Sequence, residues 1–166
     1  MVKAVYAGTF DPPTLGHLDV IRRGTELFDS LDVVIAVNQE KSPMLSLDVR
    51  KNLLSGEMER LKLGRATVSS WDGLIVDYCR HVGATVLLRG VRSAQDYAAE
   101  FEMASLNKQL YANADTVILL ADIKYFLVSS SVVKEIIKLD GDVSRMVSPA
   151  VEAALKHVAA LDKVDL

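Results

Sequence analysis

Short, nearly continuous runs of apolar residues alternate with longer amphipathic stretches along the chain. Five short runs rich in β-branched residues are predicted to be strands: Val2–Tyr6, Val33–Val37, Ala66–Val68, Thr85–Leu88 and Thr116–Leu120. Strands that are apolar throughout are typical of a parallel sheet with both faces covered. The alternation therefore predicts an α/β fold in which helices flank a single doubly wound, Rossmann-like parallel sheet of five strands.

The stretches between and after these strands carry helical patterns. The predicted helices are His17–Phe28, Asp48–Leu61, Leu74–His81, Ala94–Asn113, Val132–Leu139 and Ala150–Leu161. Ser148 and Pro149 supply an N-cap and a first helical position for the last of these helices, which forms a C-terminal helical end. Since no internal repeat or linker interrupts the pattern, residues 1–166 are predicted to form one domain.

Composition narrows the class of protein further. Half of the 166 residues are hydrophobic, which excludes an intrinsically disordered chain, and 22 acidic against 19 basic residues argue against a nucleic-acid partner. The single cysteine, Cys79, has no second cysteine with which to form a disulfide or a metal site. We find neither a signal peptide nor an apolar run of about 20 residues, so we expect a soluble, cytoplasmic protein that does not enter a membrane.

The turn after the first predicted strand has the features of an anion site. It runs from Gly8 to His17 as Gly-Thr-Phe-Asp-Pro-Pro-Thr-Leu-Gly-His. Ligands of parallel sheets bind outside the carboxyl ends of the strands, which is where this turn lies. Gly8 allows backbone to approach a ligand, Thr9 adds a hydroxyl, and His17 lies on the first turn of a helix whose free N–H groups attract anions. For His17 taken alone, an exposed histidine in an ordinary turn is the alternative.

Three further turns bring cations and hydroxyls to the same edge of the sheet. Lys41 follows the second strand, Arg89-Gly90-Val91-Arg92 follows the fourth, and Ser129-Ser130-Ser131 begins a helix. The alternatives are a solvated lysine, an Arg92–Asp96 pair one helical turn apart, and ordinary serine caps. On the helix after the arginines, one face carries Asp96, Glu100, Met103 and Asn107, and it forms either a solvated stripe or a wall of the cleft.

These motifs resemble known signatures. Gly8–Pro12 followed by Thr14–His17 resembles the signature of the nucleotidylyltransferase superfamily, in which the histidine of the T/H-x-G-H motif stabilises the pentacovalent transition state at the α-phosphate. With Lys41, Arg89–Arg92 and Ser129–Glu135 added, the chain resembles the bacterial phosphopantetheine adenylyltransferase family over nearly its full length. It departs from the usual pattern of that family at Ala7, at Tyr97–Ala99 and at Phe126-Leu127.

The resemblance implies a role for each matching residue. His17 is expected to be the catalytic residue, and no protein residue is expected to bind a metal. The acceptor substrate is expected at Thr9, Lys41, Leu74, Ile75, Arg89, Met103 and Asn107. ATP is expected at Thr9, Phe10, His17, Gly90, Val91, Arg92, Glu100, Tyr125, Phe126, Leu127, Val128, Ser129, Ser130 and Ser131.

The implied reaction is the reversible transfer of AMP from ATP to 4′-phosphopantetheine, which gives 3′-dephospho-CoA and pyrophosphate in the penultimate step of coenzyme A synthesis. Mg²⁺ is expected to accompany ATP, coenzyme A is a candidate feedback ligand, and the implied assembly is a homohexamer. Two alternatives remain: a sister enzyme that acts on nicotinamide mononucleotide or a polyol phosphate, and a nucleotide-binding module without activity. The Arg-Gly-x-Arg turn argues against the first, and the joint retention of Thr9, His17, Lys41, Arg89 and Arg92 argues against the second.

Overall fold

Five parallel strands form one sheet in the computed structural model, which describes residues 1–37 and 42–162. The strands are β1 (Lys3–Gly8), β2 (Ser30–Val37), β3 (Ala66–Asp72), β4 (Val86–Val91) and β5 (Asp115–Leu120), and their order across the sheet is β3-β2-β1-β4-β5. All four neighbouring pairs are parallel. The predicted five-stranded parallel sheet is therefore confirmed.

The helices follow the predicted pattern with shifted ends. They are α1 (Leu15–Leu27), α2 (Leu47–Arg60), α3 (Ile75–Val82), α4 (Ala94–Leu110), α5 (Ser130–Lys138) and α6 (Pro149–Asp162). A 3₁₀ turn at Ile123–Tyr125 was not expected from the sequence pattern. Nowhere in the described chain does a helix combine the length and the apolar character that crossing a bilayer requires.

The sheet is covered on both faces near its centre. One face packs against α1 and α2, in a core that contains Ile21 and Leu54 among its fully buried side chains. The opposite face packs against Val76 and Cys79 of α3. A third cluster, which includes Val133 and Leu155, joins α5 to α6. This arrangement leaves the carboxyl edge of the sheet open between the helices that follow β1 and β4.

Gly24 sets how closely α1 approaches the sheet. A Cβ atom at this position would lie 2.8 Å from Leu88 Cδ2 and 2.9 Å from Leu31 Cδ2, closer than van der Waals contact permits. A larger residue would therefore push α1 outward. Because His17 lies on the first turn of the same helix, this contact also influences how far the histidine lies from the sheet.

The outer part of the sheet differs from the expectation that every strand is covered on both faces. No residue of β3 or β5 is buried, because both are edge strands with a neighbour on one side only. The helix α4 likewise has no buried residue, and its large apolar side chains Tyr97, Phe101, Met103, Leu106 and Leu110 are exposed. The described chain thus leaves a broad apolar surface uncovered on this helix.

Asp32 of β2 is the centre of a buried polar network on the α3 face. Its carboxylate accepts hydrogen bonds from Thr67 Oγ1 at 3.0 Å and from the Tyr78 hydroxyl at 3.1 Å, and it pairs with Lys3 Nζ at 3.3 Å. The Tyr78 hydroxyl is also 2.9 Å from Ser69 Oγ. Three strands and one helix therefore meet at a single carboxylate whose charge is compensated by hydrogen bonds.

Removal of the Tyr78 hydroxyl tests the contribution of this network. Tyr78→Phe should lower the free energy of unfolding by about 1–2 kcal/mol, because two buried hydrogen bonds are lost and Asp32 loses a donor. Urea unfolding at fixed protein concentration measures the difference. The matched control is Tyr111→Phe, whose hydroxyl makes no hydrogen bond with a described residue and whose loss should change stability by less than about 0.5 kcal/mol. Equal stability of the two variants would contradict the role given to Asp32.

Candidate active site

The order of the strands places a crevice at the carboxyl ends of β1 and β4. These strands are neighbours, but the chain leaves β1 toward one edge of the sheet and leaves β4 toward the other. In open α/β sheets this change of direction is where ligands bind. A cavity of about 280 Å³ lies at this point. Of the residues predicted to bind ATP, it is lined by His17, Gly90, Arg92, Glu100, Tyr125, Val128, Ser129 and Ser130.

Other predicted residues lie outside this cavity. Thr9 and Ser131 line an adjoining cavity of about 560 Å³, which shares Ser130 with the first. Val91 is fully buried in β4, whereas Phe126 and Leu127 are exposed. Of the described residues predicted to bind the acceptor, only Thr9 lines either cavity. Arg89 lies near the end of β4, Leu74 and Met103 are exposed, Asn107 is half-buried on α4, and Ile75 packs against the core beneath α3. Lys41 lies outside the described residues.

The His17 imidazole is held by an unusual N-terminal cap of α1. Thr14 is the N-cap residue, its side chain accepts a hydrogen bond from the His17 main-chain N–H, and its own N–H donates to His17 Nδ1 at 3.0 Å. In a capping box the reciprocal acceptor is ordinarily Glu or Gln. Here histidine fills that position, so Nδ1 acts as the acceptor and the proton of the neutral ring lies on Nε2.

The electrostatic surroundings keep this ring neutral. Burial, together with the nearby positive charges of Arg92 and Arg89, lowers the pKa of His17 from 6.5 to about 4. At neutral pH the imidazole is therefore uncharged. It presents one N–H donor, at Nε2, to a ligand in the cavity that it lines.

The Phe10 side chain packs against the His17 ring. Its ring is 1% exposed and packs edge-on against the His17 ring, with 5.1 Å between the ring centroids. Phe10 has a backbone φ of 47°, in the left-handed region that aromatic residues seldom adopt. Strain of this kind persists where surrounding contacts enforce it, and it is common at functional sites. The Phe10 side chain therefore positions the imidazole and does not line the cavity of about 280 Å³.

Arg89 donates several of its N–H groups to other residues of the protein. Its Nε and Nη2 atoms each donate to the Glu100 carboxylate at 2.6 Å, and its Nη1 atom donates to the Ala7 carbonyl at 2.7 Å. A guanidinium has five N–H donors. Two of them, one on each terminal nitrogen, remain for a ligand. Glu100, which the sequence assigned to ATP, therefore orients Arg89 from the wall of the cavity.

Arg92 is held in a similar way. It donates to Asp96 through Nε at 3.0 Å and through its main-chain N–H at 3.1 Å, and its Nη1 atom donates to the Val128 carbonyl at 3.0 Å. Burial alone would raise the pKa of Asp96, but the hydrogen bonds and charge of Arg92 hold it below its ordinary value. The i,i+4 pair considered in the sequence is thus formed, and it positions a cation that also lines the cavity.

The adjoining cavity contains residues that the sequence gave no role. The Asp11 carboxylate accepts hydrogen bonds from the Met44 and Leu45 main-chain N–H groups at 3.0 and 2.9 Å, and it pairs with Lys134 Nζ at 3.0 Å. The buried Arg50 donates to the Thr9 carbonyl at 2.7 Å. Asp11 and Lys134 lie inside the motifs quoted from the sequence, so a role for them could have been predicted. Arg50 lies in no motif, and the sequence of an amphipathic helix does not distinguish a buried arginine from an exposed one.

The donor set of the site suits an anionic ligand. Arginine, lysine, serine and helix N-termini converge on the two cavities, while the carboxylates present are already paired with cations. In the part of the chain that the structure describes, no group of three or more His, Cys, Asp or Glu residues could hold a metal ion.

Comparison with known proteins agrees with this geometry. The cytidylyltransferase-like family model matches residues 5–136. Phosphopantetheine adenylyltransferase from Cereibacter sphaeroides is 43% identical over 153 residues, which cover 91% of this chain and 94% of that protein. The enzyme of the same name from Shouchella clausii is 42% identical over 158 residues, covering 95% and 98%.

The fold is also found in more distant proteins. A structure of Plasmodium falciparum nicotinic acid mononucleotide adenylyltransferase complexed with NaAD superimposes with a TM-score of 0.69 at 14% identity, covering 93% of this chain and 95% of that one. At this level of identity the likeness concerns the fold alone. By the family model and by relatives that match nearly end to end, the chain belongs to the cytidylyltransferase-like family and, within it, to the phosphopantetheine adenylyltransferases.

Proposed function

We propose that the protein transfers the adenylyl group of ATP to 4′-phosphopantetheine, forming 3′-dephospho-CoA and pyrophosphate in the penultimate step of coenzyme A synthesis. The observation that carries this proposal is the neutral His17 ring, which lines the cavity at the start of α1 with Nε2 as its donor. Relatives that are 42–43% identical over about nine-tenths of the chain bear the name of this activity.

The chemistry requires alignment and charge stabilisation rather than a protein nucleophile. An oxygen of the acceptor phosphate forms a bond to the α-phosphorus, and the bond from that phosphorus to the oxygen bridging to the β-phosphate breaks. The electron pair leaves with pyrophosphate. The attacking phosphate is already ionised at neutral pH, so no general base is needed. Donors that are fixed before the reaction stabilise the developing charge without reorganisation.

We assign the described residues to the two substrates as follows. His17 donates to the α-phosphate, and Arg92 with the Ser129–Ser130 start of α5 binds the outer phosphates of ATP. Arg89, through its two remaining N–H donors, binds the acceptor phosphate together with Thr9 and with Lys41. Mg²⁺ would accompany ATP and would offset the negative charge of its phosphates. Coenzyme A, which contains the same pantetheine arm as the product, is proposed as a feedback ligand, and the enzyme is proposed to act in the cytoplasm.

A pyrophosphate-release assay tests the reaction itself. ATP with 4′-phosphopantetheine should release pyrophosphate, whereas nicotinamide mononucleotide and a polyol phosphate should not replace the acceptor. Release with another acceptor in the panel, but not with 4′-phosphopantetheine, would favour the sister enzymes. Tight ATP binding without release for any acceptor would favour a binding module.

Replacement of His17 tests the catalytic role. His17→Ala should fold and bind ATP but lose about 10²–10³-fold in kcat, because a preorganised donor at the reacting phosphate is removed. His17→Gln keeps a donor without the ring and should give an intermediate kcat. Steady-state kinetics with both substrates, and titration of ATP binding, measure the two effects separately.

Two controls make the His17 result specific. His157→Ala removes an exposed histidine of α6 and should leave kcat unchanged. Histidine NMR should show His17 as the neutral Nε2–H form from pH 7 down to about pH 5, since its pKa is lowered to about 4. A normal kcat for His17→Ala with only a raised KM for ATP would make His17 a binding residue instead.

The assignment of the acceptor phosphate is tested at Lys41. Lys41→Ala should weaken the use of 4′-phosphopantetheine by about 10- to 150-fold, the range of one charge-assisted hydrogen bond, and should leave ATP affinity nearly unchanged. Lys51→Ala, which removes an exposed lysine of α2, is the matched control. An equal loss of affinity for both substrates would show that Lys41 is assigned to the wrong one.

The uncovered face of α4 supports a homohexamer, the assembly that the family resemblance implies. Contiguous exposed apolar surface commonly marks a protein interface. Light scattering should give six times the mass of the chain, and Phe101→Asp, which places a charge on that face, should lower it. Leu139→Asp, at an exposed position after α5, is the control and should leave the mass unchanged. A monomer mass at every concentration would refute the assembly.

A further inference from the structure

Tyr6 is a buried residue that has no role in the proposed reaction. It lies on β1, where it is paired with Leu88 of β4 in the register of the sheet. Its ring packs edge-on against Phe10, with 5.5 Å between centroids, and lies 6.5 Å from the His17 ring. Only 6% of the residue is exposed, yet it lines the cavity of about 280 Å³.

The hydroxyl of Tyr6 opens on that cavity. Within residues 1–37 and 42–162 it makes no hydrogen bond. Over the same residues, every side-chain nitrogen or oxygen that is sealed from solvent does have a partner. The Tyr6 oxygen is therefore not sealed in the core, and the open space beside the residue is the cavity. A polar atom in this position loses its hydration when a ligand fills the cavity, so it costs free energy unless the ligand bonds to it.

Gly90 keeps the space in front of this hydroxyl open. A Cβ atom at Gly90 would lie 3.9 Å from the Tyr6 oxygen and 2.8 Å from Val20 Cγ2. The two groups that these distances place beside the hydroxyl, Gly90 and Val20, are uncharged. An uncharged surface of this kind suits the nucleoside of a nucleotide, because the phosphates are drawn to the cations.

The phenol remains a neutral donor in this environment. Burial raises the pKa of Tyr6 far above its ordinary value; the positive charge of Arg89 opposes this shift, and the negative charge of Glu100 adds to it. The hydroxyl therefore keeps its proton at any working pH. It can donate one hydrogen bond and accept another.

We propose that the Tyr6 hydroxyl is a nucleotide-binding group that hydrogen-bonds an oxygen or nitrogen of the nucleoside part of ATP. The inference rests on the proposed function only in taking the ligand to be an adenine nucleotide. The contact would be made with ATP and with the adenylylated product alike. It would therefore contribute to affinity for the nucleotide and not to the affinity for the acceptor.

Tyr6→Phe tests the contact, because it removes one oxygen and keeps the ring that packs against Phe10 and His17. In calorimetric titrations without acceptor, ATP and adenosine should each bind about 3- to 10-fold more weakly, the range of one neutral hydrogen bond. Binding of pyrophosphate and of 4′-phosphopantetheine should not change. Tyr111→Phe is the control and should bind every ligand as the wild type does.

The outcomes separate this proposal from the proposed reaction. Unchanged ATP affinity in Tyr6→Phe, or an equal loss for pyrophosphate and ATP, would overturn the nucleoside contact. Failure of 4′-phosphopantetheine to react would overturn the proposed reaction and leave the binding result standing. With 2′-deoxyATP or 3′-deoxyATP, the effect of Tyr6→Phe should vanish if the missing hydroxyl is the partner, and it should persist with both if the partner is the base.

Discussion

The hydrogen bond from the Thr14 main-chain N–H to His17 Nδ1 determines what the imidazole can do. It closes the capping box of α1 and, in the same contact, assigns the ring proton to Nε2. Burial and two neighbouring arginines then keep the ring neutral. Helix initiation and the placement of the ring proton thus share one interaction, so neither the start of α1 nor the tautomer can change without the other.

A chain that is acidic overall can still present a cationic site, because its cations are arranged locally. Arg89 is paired with Glu100 and Arg92 with Asp96, and each arginine also donates to a main-chain carbonyl. These pairs lower the net charge of the site and fix each guanidinium plane. A phosphate therefore meets donors that are already oriented, which reduces the ordering cost of binding. As a consequence, fewer N–H groups of each arginine remain free to bind a ligand.

The sequence was a good guide to the sheet and to the turns that carry the site. Strand–helix alternation predicts the topology, and the histidine motif predicts the start of α1, because both depend on local patterns. The contacts of Asp11 and Arg50 could not be predicted, since they join parts of the chain more than thirty residues apart. The contact of Glu100 with Arg89 could not be predicted either, although only eleven residues separate the two. The motif around Glu100 suggested a ligand contact, and only the fold shows that Arg89 is its partner.

The wall that α4 forms is attached to the sheet in a distinctive way. No residue of this helix is buried, and ion pairs hold it: Asp96 with Arg92 and Glu100 with Arg89 in its first half, beside the cavity, and Lys108 with Asp115 near its C-terminal end. Salt does not screen hydrophobic contacts, whereas it weakens ion pairs that are partly exposed to solvent. The packing of α4 at the mouth of the cleft should therefore depend on ionic strength, whereas the packing of the hydrophobic core beneath it should not. Added salt would then loosen one layer of this small molecule and leave the other unchanged.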